Sequence, residues 1–168
     1  METLFSRLSA YDILNSILPG AITYLSSSYL LGVEYKIQFS LFEKVCIFYF
    51  LGLVIGRIAS VWLEEFCKDI KLVVYADYED YVYAESQDAK VSILSEKNNN
   101  YRNFLTVFVV IGALKCIKDW NLSNLIISWR IECWIIIAFI ILFAWSYHKQ
   151  TDYVRRRVEF ICKSRKDV

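Results

Sequence analysis

The chain has 168 residues, of which 57% are hydrophobic and 17% aromatic, and its mean hydropathy is +0.36. An average soluble domain is about 45–50% apolar, so the excess points to a membrane protein and excludes intrinsic disorder. The 22% of charged residues still places a sizeable part in water, and the net charge of +1 hides an uneven distribution.

The start does not read as a secretory signal. Glu2 and Arg7 lie within the first nine residues, and no cleavage site of small residues follows an apolar core. The N-terminus is therefore expected to stay.

Four apolar segments follow, at about 13–33, 45–63, 104–120 and 125–147. A spanning helix needs about 17–25 residues. The first, second and fourth segments meet that length. The third has an apolar core of only 14 residues, Phe104 to Ile117, and is either a short span or a partly inserted helix. Pro19-Gly20 in the first segment is expected to bend or break the helix. Residues 3–18 then read as an interfacial helix leading into a shorter span.

Thirteen of the nineteen Lys and Arg residues fall at one side of a four-span arrangement, in the N-terminus, the 64–103 segment and the tail. Five fall on the other side: Lys36, Lys44, Lys115, Lys118 and Arg130. The positive-inside rule puts both termini and the 64–103 segment in the cytoplasm. Trp62 and Trp145 fall at the inner boundary, Trp120 and Trp129 at the outer one, as an aromatic belt requires.

Between spans two and three, Ile70, Val73, Val74, Tyr78 and Tyr81 recur at helical steps. This predicts helices over about 64–84 and 87–97, with a break at Asn98-Asn99-Asn100. In the tail, Tyr153, Val154, Val158, Ile161 and Cys162 form an apolar stripe, so it too reads as helix. The expected fold is all-α, a polytopic membrane protein with about four transmembrane helices and a small helical cytoplasmic cap. It divides into an N-terminal interfacial helix and transmembrane hairpin (1–63), a cytoplasmic helical segment (64–103), a second transmembrane hairpin (104–147) and a basic cytoplasmic tail (148–168).

Several residues are candidates for function. Arg57 lies about six residues from the inner end of the second span, where an arginine at helix-centre depth costs about 2.5–3.5 kcal/mol on insertion scales. It faces a water-filled path or an acid, or else it snorkels to the interface. Gly52 and Gly56 form G-x-x-x-G, which permits close helix packing. Ser16, Thr23 and Ser27 share a helix face. Such a stripe lines a pore, or its hydroxyls bond back to helix carbonyls. Arg155, Arg156, Arg157 and Lys149 are candidates for phosphate contacts, with Arg102 nearby and Tyr75 or Tyr78 stacking bases. The competing reading of the tail is attraction to anionic lipid. The acids between Glu64 and Glu96 offer the tail ion-pair partners within the cap.

Catalysis has little support. No Walker loop, G-x-S-x-G or G-x-G-x-x-G is present, and the single His148 cannot form a two-histidine metal motif. No enzyme, cofactor or metal is therefore expected. Five cysteines without C-x-x-C indicate no disulfide framework, although Cys116 and Cys133 both lie near outer span ends.

The run Ser9-Ala10-Tyr11-Asp12-Ile13-Leu14-Asn15 before Pro19-Gly20, then Gly56-Arg57, Asn100-Tyr101-Arg102 and Ser146-Tyr147-His148-Lys149-Gln150-Thr151, resembles the small multi-span effectors of bacterial anti-phage systems. It is most similar to the Hailong transmembrane effectors. Four-span accessory membrane proteins of RNA-targeting CRISPR loci share the architecture. The Hailong resemblance implies an oligomeric ion channel of the bacterial inner membrane, acting in abortive infection by depolarising the cell. It also implies a single-stranded DNA oligomer, made by a partner nucleotidyltransferase, that binds from the cytoplasm and holds the channel closed. Four spans of one short chain are too few for a channel, so a homo-oligomer is expected, most simply a tetramer. The alternative is a non-conducting membrane adaptor whose cap binds a soluble protein. A small transporter is disfavoured because no acid sits deep in a span.

Overall fold

A computed structural model describes residues 13–31, 39–120 and 131–166. Of these described residues 91% are helical and none forms a strand, so the fold is all-α. Most of the expected interfacial helix, together with Trp129 and Arg130, lies outside the described residues.

A π turn at Ile13–Ile17 runs directly into α1, Leu18–Leu31. The chain stays helical through Pro19. Proline has no N–H for the carbonyl four residues back and crowds it with its ring. That carbonyl belongs to Asn15, and it accepts instead from Nδ2 of Asn103, 3.0 Å away on another helix. The wide turn and this borrowed donor absorb the disruption that proline imposes.

Ser40 begins α2, Leu41–Ile58, with a capping box: its hydroxyl accepts from the Glu43 amide, and the Glu43 carboxylate accepts from the Ser40 amide at 2.7 Å. A second π turn, Ala59–Leu63, carries the helix on into α3, Glu64–Asp69. Helix is expected to continue to residue 84, but it stops at Asp69. The amides of Leu72 and Val73 both turn back to the Cys67 carbonyl, and Lys71 takes a left-handed φ of 57°. The β-branched pair Val73-Val74 favours extended backbone there. Helix resumes at α4, Tyr78–Gln87, capped by the Asp77 side chain.

The longest elements are α5, Lys90–Trp120, and α6, Ile131–Lys166. The expected break at Asn98–Asn100 does not occur. Asparagine disfavours helix interiors because its side chain competes for backbone groups. Here Asn98 is buried and its Oδ1 accepts from the Thr151 hydroxyl of α6 at 3.0 Å, so that competition is removed.

Among the described residues, two helices are long and apolar enough to cross a membrane: the continuous 29-residue run Leu41–Asp69 and the 33-residue run Ile131–Lys163. α1 packs antiparallel on α2, and α5 packs antiparallel on α6. The α1–α2 contact is made by Gly20 and Gly52. A Cβ on Gly52 would strike the Ser16 carbonyl, and one on Gly20 the Phe48 carbonyl. Bare backbone on both sides allows the axes to close. The α5–α6 contact is aromatic: Phe108 stacks on Phe139 with centroids 4.6 Å apart, and Phe104 on Phe143 at 5.3 Å.

Three buried clusters follow one another along the bundle. Ile55, Val107, Ile111 and Ile136 fill the apolar middle. Cys67, Val73, Leu105 and Tyr147 seal the junction where α3 ends. Ala84, Val91, Val154, Val158 and Cys162 join α4 to the far ends of α5 and α6. In this last cluster Val91 and Val158 are fully buried, and removing each side chain from water contributes about 1.5–3 kcal/mol.

Candidate ligand site

The tail half of α6 presents Ser146, Lys149, Tyr153 and Arg156 at steps of three and four residues, so they share one helix face. With Tyr101 of α5, Gln150 and Asp152 they line an open groove of about 560 Å³. Lys149 makes no ion pair among the described residues. Arg156 is mostly exposed, with its guanidinium 2.7 Å from Asp152. Gln150 donates to the Leu94 carbonyl at 3.0 Å, which pins the groove floor to α5. Two cations flanked by two tyrosine rings can bind an anion that carries a planar group.

Of the residues singled out for phosphate contacts and base stacking, Lys149 and Arg156 meet in this groove, and the others are elsewhere. Arg155 pairs with Asp152 and Glu159 on its own helix. Arg157 donates through Nε to Asp88 at 2.8 Å, tying α6 to the α4–α5 corner. Arg102 pairs with Glu64. The Tyr75 hydroxyl bonds that of Tyr147, and Lys68 lies 5.2 Å above the Tyr75 ring. Burial pushes the Tyr75 phenol above its usual range, so it stays neutral. Tyr78 opens α4 with 78% of its surface exposed. The sequence places Tyr153 in an apolar stripe. Its spacing from Lys149 and Arg156 is the signal in the sequence that marks it instead for the groove.

In the apolar layer, Ser16 is buried against Gly52. Thr23 donates to the Pro19 carbonyl at 2.9 Å and Ser27 to the Tyr24 carbonyl at 2.8 Å. These hydroxyls satisfy their own helix. A Cβ on Gly56 would meet only Asn103 Nδ2, at 3.8 Å. Arg57 is exposed on the outward side of α2. Glu64 and Glu65 hold Lys68, each at 2.9 Å, and Glu64 also holds Arg102. All five cysteines are free; Cys116 is exposed and Cys133 half-buried. No cluster of three potential metal-ligating side chains occurs among the described residues.

The clamp between α4 and α6 is acid-sensitive. The Lys90 amide and then the Arg157 guanidinium hold the Asp88 carboxyl below its usual range, and Arg155 does the same for Asp152. A depressed folded pKa stabilises above the unfolded value, about 3.9 for Asp, and that stabilisation is lost as pH falls through the folded pKa. The thermal midpoint is therefore expected to drop as pH falls below about 4. Asp88→Asn should flatten part of that drop, as read by circular dichroism.

Comparison with protein-family models, with curated proteins and with solved structures yields no match for this chain.

Proposed function

We propose that the chain is the subunit of an oligomeric membrane pore, an ion-channel effector gated from the cytoplasm by a nucleic-acid or nucleotide ligand. In this reading four segments cross the bacterial inner membrane, with α1 and the apolar half of α5 completing the spans. Both termini lie in the cytoplasm, and several copies, most simply four, close around an axis. The setting of anti-phage defence by membrane depolarisation, and a single-stranded DNA oligomer as ligand, rest on the resemblance to the Hailong effectors.

What carries the reading is the continuity of α6. One unbroken helix joins the apolar stretch from Ile131 to the groove at Lys149, Tyr153 and Arg156. A ligand bridging Lys149 and Tyr101 loads α6 and α5 together at their charged ends. Phosphate on Lys149 and Arg156 would draw Arg156 from Asp152, and bases would stack on Tyr101 and Tyr153. Because no hinge interrupts α6, the load reaches the apolar layer as a change of tilt.

Purified protein in liposomes should pass ions, and short single-stranded DNA should change the flux. Lys149→Glu combined with Arg156→Glu is expected to weaken the oligonucleotide effect at least ten-fold and to flatten its salt dependence. Flux indifferent to oligonucleotide would remove the nucleic-acid ligand. No flux in any condition would remove the pore.

A non-conducting adaptor is the second reading. Its support is the exposed set Val74, Tyr78 and Val82 on and beside α4, which fits a protein partner. It predicts a stable complex with a soluble protein and no flux.

A further inference from the structure

Arg57 is the one cation placed within the apolar run of α2 between Val45 and Leu63. The packed side of α2 carries Gly52, Ile55 and Ala59, all buried against the rest of the bundle. On a helical wheel Arg57 stands opposite Ile55 and Ala59. Its neighbours on that outward side, Phe50, Leu53, Val54 and Val61, are exposed. The guanidinium has no ion-pair partner among the described residues, and the nearest acids along the helix, Glu64 and Glu65, are engaged by Arg102 and Lys68. Set against lipid, an unpaired arginine costs up to the helix-centre value of about 2.5–3.5 kcal/mol. The cost vanishes if the surface it occupies is wet.

We propose that Arg57 faces a water-filled axis shared with further copies of this chain and makes the conduit select anions. This rests on the pore reading and adds the class of permeant ion. Cationic side chains that recur around a symmetry axis form a ring, and rings of Arg or Lys favour anions. Among the described residues, the inward positions at this level offer no competing carboxylate: the Asn15 and Asn103 pair, bonded at 2.8 Å, is neutral.

The experiment is a reversal-potential measurement on reconstituted full-length protein under a potassium chloride gradient. The wild type should prefer chloride over potassium several-fold. Arg57→Gln should bring the permeability ratio to about one, and Arg57→Glu should invert it. Arg57→Lys keeps the charge and should keep the preference, which separates charge from folding. A cation preference in the wild type, or a chloride preference untouched in Arg57→Gln, overturns the proposal while leaving a pore; in the second case Arg57 only snorkels to the interface. Absence of current in the wild type overturns the pore reading and this proposal with it.

Discussion

Gly52→Ala is expected to drive α1 off α2. The new methyl has no room because what it meets is the Ser16 backbone, which cannot rotate away as a side chain would. Overpacking costs about 1–3 kcal/mol, and a rigid backbone contact belongs at the upper end. The effect is wider than one contact, since the same turn supplies the Asn15 carbonyl and Oδ1 that Asn103 donates to. Gly56→Ala, one turn away, is the matched control. Its methyl finds Asn103 Nδ2 at 3.8 Å, an ordinary contact, and alanine improves helix propensity by about 0.5–1 kcal/mol over glycine. The thermal midpoint in detergent should fall sharply for the first variant and stay level or rise for the second. Equal behaviour would mean that α1 is not seated on α2 at Ser16.

Glu64→Gln should cost about 3–5 kcal/mol, the penalty for leaving one charge of a buried pair without its partner. Both side chains are largely buried, Glu64 retaining 17% and Arg102 15% of its exposure. Arg102 Nε is already buried without a hydrogen-bond partner, and no second carboxylate pairs with the guanidinium among the described residues. The double variant Glu64→Leu with Arg102→Met replaces the pair by apolar volume and should recover most of the stability. Thermal midpoints of the single and double variants form the test. A double variant as unstable as Glu64→Gln alone would show that the pair is needed for more than neutralising two charges.

The all-helical class and the separation of apolar stretches from a charged remainder were legible in the sequence, because a run such as 45–63 states its environment without reference to any other segment. Gly52 was legible as a close-packing position, but its counterpart Gly20 was not. Gly20 lies in another segment, and only the antiparallel docking of α1 on α2 pairs the two. Pro19 predicted a bend or break that does not occur, because the remedy, a side-chain amide from Asn103, comes from the far side of the bundle. The triple asparagine misled in the opposite sense. Local propensity argues for a break, and Thr151 on α6 overrides it by occupying Asn98. The helix predicted across residues 70–77 failed because the apolar spacing of Ile70, Val73 and Val74 fits an extended strap as well as a helix face. Charge alone marked all three tail arginines for phosphate. The fold assigns Arg155 to Asp152 and Glu159, assigns Arg157 to Asp88, and leaves Lys149 and Arg156 for the groove.

The polar contacts at the two ends of the α5–α6 pair carry a consequence for motion. Lys115, buried to 6% exposure, meets Glu132 at 3.3 Å near one end, and Thr151 meets Asn98 near the other. A one-turn slide of about 5.4 Å would undo both at once and take the Lys115 ammonium away from the Glu132 carboxylate. The two helices are thus keyed axially like a bolt in its slot. Piston motion between them is forbidden, and any opening of the assembly has to come from the pair swinging or turning as one body.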